Sequence, residues 1–387
     1  MIPPARLSAF AVAAPGLEAL VTAELAGLGI NARQVAGGAE WEGGIEEVRS
    51  ANLQLRTASR VLVRIAEFRA RTFFELERHA SRIEWSRWLR HKNPITLRVN
   101  SKKSKLYHEG AIAERLARAV ALQTKGAVAE PNDEEHEGEA AQLFVVRVLR
   151  DQFTISIDAS GALLHRRGYR QEIARAPLRE TLAAALLHAA SWRGERALLD
   201  PFCGSGTIPI EAALIARRIA PGLASADRSP RRFAFEQWPD HDAKAWSKQV
   251  EAARQQILPA AEVVIAASDR NTGATQAARA NAARAGVEQD IDVRVAALSA
   301  VAAPAQQGLL VTNPPYGKRV SEGAELRDLY AALGRIARER IPEWSVALVS
   351  ADPILAAQTR LPFRPMARTR NGGLPVEFLL ADLAAIE

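Results

Sequence analysis

The sequence predicts an α/β protein whose second half is an open, mainly parallel sheet covered by helices on both faces. Three observations carry this reading. From Arg196 onward apolar strand-like runs alternate with Gly-rich or polar turns and helix-like runs. A polar, basic stretch at 165–175 (HRRGYRQEIAR) separates that half from the one before it. And 387 residues with 48% apolar content suffice for two or three domains with ordinary buried cores, which excludes a chiefly disordered chain.

The elements follow in order. After Arg6 the apolar run 7–14 (LSAFAVAA) imitates a short leader, but a strand explains more residues. Leu17, Leu20, Val21, Leu25 and Leu28 recur behind it at helical spacing, with Glu18 and Glu24 between them. A Gly-rich turn is expected around Gly37, Gly38, Gly43 and Gly44, then a strand at 61–68 and a helix with Phe73, Leu76, Ala80 and Ile83 on one face. Residues 94–101 (PITLRVNS) alternate like a strand, and Ile112, Leu116, Ala119 and Val120 mark another helix. An acidic, turn-rich loop at 131–139 precedes strands at 143–150 and 153–158, with Asp151 and Gln152 as the hairpin tip. The second half reads as a helix at 178–192, a strand at 197–199, a helix at 208–217, a strand at 263–267, a helix at 275–285 and a strand at 309–312. No repeat of fixed period and no low-complexity tract occurs.

Composition removes several classes. The single cysteine, Cys203, cannot form an internal disulfide, so a secreted disulfide scaffold is excluded and the cytoplasm is the default compartment. The longest uncharged stretch, 295–317, contains Pro304, Gln306, Gln307, Asn313, Pro314 and Pro315, which a lipid-exposed helix would leave poorly satisfied, so no membrane span is expected. Seven scattered histidines show no metal-ligand spacing. The net charge of +7 makes an anionic partner such as nucleic acid worth testing.

Three clusters carry chemistry. The strand at 197–199 runs into Asp200, Pro201, Phe202, Cys203, Gly204, Ser205, Gly206 and Thr207, and Glu211 follows on a helix. Glycines at the C-terminal end of a sheet strand let backbone approach a nucleotide, while the lack of GK[ST] disfavours a triphosphate loop. The same turn read alone is also ordinary turn chemistry, and Cys203 fits a small packing residue better than a nucleophile. The next strand ends in Ser268, Asp269, Arg270 and Asn271. Asp269 suits either a ribose hydroxyl acceptor or a helix N-cap. It stands 69 residues after Asp200, far beyond the usual ~20, which an insertion at 224–256 carrying FAFEQW would explain. The third cluster is Asn313, Pro314, Pro315, Tyr316 and Gly317 after a buried strand. The prolines fix the backbone and donate no hydrogen bond, so their carbonyls and the Asn313 amide oxygen offer acceptors to an exocyclic amine. Tyr316 offers a face on which an extruded base can stack.

Together DPFCGSGT, the acid of SDRN and NPPYG resemble the motifs of class I S-adenosylmethionine-dependent amino methyltransferases. FAVAAPGLEALVTAELAGLGI, HRRGYR with APLRETLAAALL, and RRFAFEQW extend the resemblance over most of the chain. They resemble the THUMP-domain 23S rRNA guanine-N2 methyltransferases and the wider group of N6-adenine DNA methylase-like RNA methylases. The resemblance implies a ferredoxin-like segment at 1–55, an RNA-binding THUMP domain at 56–160, a linker at 161–176, and a seven-stranded Rossmann-like methyltransferase sheet at 177–387. It also implies S-adenosylmethionine held by Asp200–Thr207 with Asp269 and Arg270, and catalysis by Asn313, Pro314, Pro315 and Tyr316. Fused members carry a second methyltransferase region, to which the resemblance does not extend here. One departure stands out: the family's third acid, which meets the cofactor adenine, is replaced by Ala297, Leu298 and Ser299, with no acid between Asp292 and Glu322. A backbone carbonyl or the Ser299 hydroxyl would have to take its place.

Between Ser86 and His108 lie Arg87, Arg90, Lys92, Arg98, Lys102, Lys103 and Lys105 without an acid, and Arg166, Arg167 and Arg170 mark the linker. With Trp85, Trp88 and Tyr107 nearby this suits a phosphate-tracking surface, with Arg98, Lys102, Lys103, Lys105, Arg166, Arg167 and Arg170 as its contacts. A solvated face is the competing reading. The expected function is methylation of guanine N2 in 23S rRNA or a precursor particle, without metal or membrane. The sequence leaves oligomeric state open. Two rivals remain: an adenine-N6 DNA methyltransferase, and an inactive methyltransferase-fold assembly protein motivated by the absent third acid.

Overall fold

The computed structural model describes residues 6–125, 141–171, 178–316 and 323–384. The acidic loop expected at 131–139, residues 172–175 of the basic stretch and Gly317 lie outside the described residues. The chain forms two compact units. One holds the described residues of Met1–Val12, Thr22–Leu164 and Arg232–Gln249, the other those of Ala13–Val21, His165–Arg231 and Val250–Glu387.

The first sheet is built from β1 (Leu7–Ala13), α1 (Glu18–Gly27), β2 (Arg33–Val35), β3 (Gly38–Gly43), α2 (Ile45–Gln54), β4 (Ala58–Arg69), α3 (Phe73–Ala80), β5 (Ile95–Lys102), α4 (Glu109–Thr124), β6 (Gln142–Leu149) and β7 (Gln152–Asp158). Its seven strands lie in the order β2-β3-β1-β4-β7-β6-β5. The leader-like opening run is a sheet strand: Ala9, Ala11 and Ala13 are buried, and β1 pairs antiparallel with β3. The expected glycine turn is divided. Gly37 (φ 85°) turns the β2–β3 hairpin, whereas Gly38 begins β3, where a Cβ would lie 1.9 Å from the Ala11 carbonyl oxygen. The β6–β7 tip falls on Arg150 and Asp151, both at positive φ, one residue earlier than expected. The Asp151 carboxylate then accepts from the Lys105 backbone N–H at 2.8 Å and from Arg71 Nε at 3.0 Å, tying the loop after β5 to the hairpin.

The second sheet comprises α5 (Glu180–Ala189), β8 (Ala197–Asp200), α6 (Thr207–Ala216), α7 (Ala243–Gln255), β9 (Ile265–Asp269), α8 (Thr272–Arg284), β10 (Asp292–Val295), β11 (Gly308–Thr312), α9 (Gly323–Arg340), β12 (Ser345–Ser350), α10 (Pro353–Gln358), β13 (Arg364–Asn371) and β14 (Leu374–Asp382). The order is β10-β9-β8-β11-β12-β14-β13. The first five strands are parallel, and the β13–β14 hairpin joins antiparallel through β14. Every residue of β8, β11 and β12 is buried, which is why they read as continuous apolar runs. From β8 the chain steps to β9 and β10 on one side and returns to β11 and β12 on the other. That reversal opens a crevice at the C-terminal ends of β8, β9 and β11, where an open α/β sheet binds its ligand.

The expected insertion lies between α6 and β9 and contains α7. Its aromatic segment belongs to the first unit. Phe235 stacks edge-on against Trp246 at 5.1 Å, Trp238 packs edge-on against Trp88 at 5.1 Å, and Trp238 Nε1 donates to Gln142 Oε1 at 3.1 Å. No described helix is long and apolar enough to cross a membrane.

Candidate active site

Hydrogen bonds join the three strand tips into one site. The Thr312 hydroxyl at the end of β11 donates to Asp200 Oδ1 at the end of β8 at 2.7 Å, and the Phe202 backbone N–H donates to the same oxygen at 3.1 Å. Asp200 is buried, and burial outweighs both bonds, so its carboxyl is pushed up to about 7. On the other side the Gly204 N–H donates to Asp269 Oδ2 at 3.1 Å, and the Cys203 N–H donates to the Ser268 carbonyl at 3.0 Å. Gly206 has φ 86°, and a Cβ there would sit 3.0 Å from the Ala278 Cβ on α8, so only glycine lets the turn nestle against that helix. From α8, Asn281 Nδ2 donates to the Ser205 carbonyl at 3.0 Å and fixes the turn from behind. Burial drives the Cys203 thiol far above its ordinary range, consistent with packing rather than nucleophilic duty.

Asp269 is not the N-cap of α8. That role falls to Asn271, whose Oδ1 accepts from the Gly273 and Ala274 N–H groups at 2.8 and 3.3 Å. Asp269 Oδ1 accepts from the Asn271 N–H at 2.9 Å. Each carboxylate oxygen therefore keeps acceptor capacity for a ribose hydroxyl. Arg270 is exposed beside it. Where a third acid was missed in the sequence, β10 gives way to a single helical turn, Leu298–Ala300. The Ser299 carbonyl already accepts from Arg340 at 2.6 Å, and Ser299 itself is exposed.

At the tip of β11, Asn313 Oδ1 is buried and has no hydrogen-bond partner among the described residues. Such an acceptor is costly unless something arrives to use it. Two side chains that sequence reasoning missed hold the turn that follows. Tyr330 on α9 is buried and its hydroxyl reaches the Pro315 carbonyl at 3.4 Å. Asn371 at the end of β13 donates through Nδ2 to the Tyr316 hydroxyl at 3.0 Å. Burial raises the Tyr316 phenol, so it stays neutral at ordinary pH.

The basic residues divide. Lys102, Lys103 and Lys105 are exposed, with no carboxylate partner among the described residues, and Tyr107 is exposed close by; Arg98 and Arg166 are half-buried. Arg167 and Arg170 do not form a phosphate-tracking surface. The Arg167 guanidinium is buried against Glu211 Oε1 at 3.4 Å, which also accepts from the Tyr169 hydroxyl at 3.0 Å, and Arg170 pairs with buried Glu180 at 3.2 Å. Trp85 and Trp88 are likewise core residues, leaving Tyr107 as the exposed aromatic of that group. Among the described residues no group of three or more His, Cys, Asp or Glu is placed to hold a metal ion.

A Gly-rich turn after the first strand, an acid at the second tip and an Asn-Pro-Pro-Tyr turn at the fourth, on a sheet with an antiparallel final hairpin, define a class I methyltransferase fold. The chain belongs to the UPF0020 family, the RMKL-like methyltransferase domain, whose model matches residues 167–375; residues 8–62 match the RlmL ferredoxin-like domain. It is similar to the ribosomal RNA large subunit methyltransferase K/L of Syntrophotalea carbinolica, 36% identical over 97% of this chain and 53% of that protein. It thus spans about half the length of such relatives. The putative RNA methyltransferase YpsC of Bacillus subtilis is 34% identical over 88% of this chain and 87% of its own. Among solved structures, SMU.472, a putative methyltransferase complexed with SAH, superposes with a TM-score of 0.86 at 29% identity over 99% of both chains.

Proposed function

We propose that the protein is an S-adenosylmethionine-dependent RNA methyltransferase acting on guanine N2 of 23S rRNA, either free or in a precursor particle in the cytoplasm. The observation that carries this is the unpartnered, buried Asn313 Oδ1 at the tip of β11, one residue beyond the Thr312–Asp200 bond that joins it to the glycine turn. The crevice suits the cofactor. The turn Asp200–Thr207 gives close backbone approach, Asp269 has acceptor capacity for ribose hydroxyls, and Asp200 is a buried acid beside a ligand that carries positive charge. The relatives named as rRNA and RNA methyltransferases favour RNA over DNA.

When bound, the cofactor supplies a methyl group activated by its sulfonium. Asn313 Oδ1 and the Pro314 carbonyl accept from the exocyclic amine and aim the nitrogen lone pair along the line of displacement. Tyr316 holds the extruded base by its ring face. The same acceptors stabilise charge that builds on the nitrogen, and the proton leaves to solvent. Lys102, Lys103 and Lys105, with Arg98 and Arg166, give the RNA a cationic surface. Incubation of undermethylated 23S rRNA and precursor particles with labelled cofactor, followed by nucleoside mass spectrometry, should yield N2-methylguanosine. N6-methyladenosine would instead support the adenine reading, and no transfer with tight cofactor binding would support an assembly role.

A further inference from the structure

Asn371 is a polar residue turned inward at a place where its neighbours face water. It ends β13, and the hairpin turn beyond it is made by Gly372 (φ 54°) and Gly373 (φ 86°). Arg370, Gly372, Gly373 and Leu374 are all exposed, yet Asn371 is only 9% exposed. A hairpin of this kind accepts Asn at its flank for turn chemistry alone, which would leave the side chain in solvent. Here the amide is buried, and its Nδ2 donates to the Tyr316 hydroxyl at 3.0 Å, across 55 residues of sequence.

The two prolines fix the backbone ahead of Tyr316 but not its ring, which retains two rotatable side-chain bonds. A stacking platform holds a base more firmly when its ring is placed before the base arrives, because a ring that must be ordered during binding gives back part of the stacking energy. The hydroxyl lies on the axis of the second torsion, so the tether fixes the first torsion and with it the direction of the ring, while the in-plane lone pairs of the phenol oxygen bias its plane. We infer that Asn371 is a positioning residue for methyl transfer: it fixes where the Tyr316 ring points and so helps to orient the target base. This rests on the reading of Tyr316 as the base platform, and it gives the Tyr316 hydroxyl a role beside that of the ring face.

The test is a double-mutant cycle in the full chain, using single-turnover transfer to undermethylated 23S rRNA at saturating cofactor. Asn371→Ala and Tyr316→Phe should each slow the step roughly tenfold, and the double variant should be no slower than either, because both remove one bond. Asn371→Asp should recover most of the rate, since the phenol can turn and donate to a carboxylate, and should recover none in the Tyr316→Phe background. Multiplicative losses, or an Asn371→Asp variant as slow as Asn371→Ala, would overturn the inference. A second readout needs no RNA. The chain has four tyrosines, so a ring-carbon NMR label resolves Tyr316, assigned by its loss in Tyr316→Phe. Asn371→Ala should shift that signal, and an unmoved signal sinks the proposed bond even if the RNA substrate proves to be a different one.

Discussion

Cofactor capture should be coupled to loss of a proton from Asp200. Its carboxyl is 1% exposed, and although it accepts from the Thr312 hydroxyl at 2.7 Å and the Phe202 N–H at 3.1 Å, burial first and the neighbouring Asp269 charge also hold it up at about 7. The sign follows from linkage. Between about pH 4 and 7 the folded, ligand-free protein keeps a proton that the unfolded chain has lost, so this group's contribution to stability falls as pH rises through that window, by roughly 4 kcal/mol in all. A bound sulfonium and ammonium favour the carboxylate and pull the acid back down. Affinity for S-adenosylmethionine should therefore rise with pH, being about tenfold weaker at pH 6 than at pH 8 for a free-state value near 7. Calorimetry in buffers of different ionisation enthalpy would read both the affinity and the released proton. Glu180, buried beside Arg170, is also raised to about 7, so the slope must be assigned by variant: Asp200→Asn should flatten it. Equal affinity at the two pH values, or an unchanged slope in Asp200→Asn, would refute the coupling.

Two variants of the site and one of the exposed lysine cluster give further outcomes. Asn313→Ala should lower the single-turnover rate about 100-fold, equivalent to about 3 kcal/mol of lost positioning, while calorimetric affinity for S-adenosylhomocysteine stays at the wild-type value. Asp269→Ala should weaken cofactor binding by about 1.5 to 3 kcal/mol through two lost ribose bonds, with circular dichroism confirming that the fold survives loss of the Gly204 and Asn271 contacts. Replacing Lys102, Lys103 and Lys105 with Ala should make the log–log dependence of RNA affinity on salt shallower by about 2 if all three meet single-stranded phosphates, as a filter-binding titration would measure.

What the sequence made legible was set by burial symmetry. β8, β11 and β12 are covered on both faces, and the first two were readable as apolar runs closing on polar tips; the sheet then brings Asp200, Asp269 and Asn313 to one edge. β10 was hidden by its length: Asp-Val-Arg-Val alternates, but four residues with a single buried side chain, Val293, are too short a run to mark a strand. β2 is shorter still. The β13–β14 hairpin was not anticipated although Asn-Gly-Gly marks its turn, and the role of Asn371 was hidden because that turn signal already accounts for the residue and nothing local distinguishes a side chain pointing inward.

The basic stretch ahead of α5 shows why charge counts mislead in a different way. A run of arginines is visible in sequence, but the Glu211 that buries Arg167 lies 44 residues on and the Glu180 that pairs with Arg170 sits on the next helix. A buried guanidinium held by carboxylates has no field left to offer a phosphate, and removing either partner would strand a charge in the core. The stretch has structural work instead. Arg167 and Tyr169 hold α6 through Glu211, and the Gln171 N–H donates to Asn281 Oδ1 at 3.3 Å while Asn281 Nδ2 holds the Ser205 carbonyl. Residues that look like a solvated linker thus brace the helix that starts at the glycine turn and the side chain that supports that turn from behind, so the geometry of the turn rests on charges that a residue count would assign to a nucleic-acid surface.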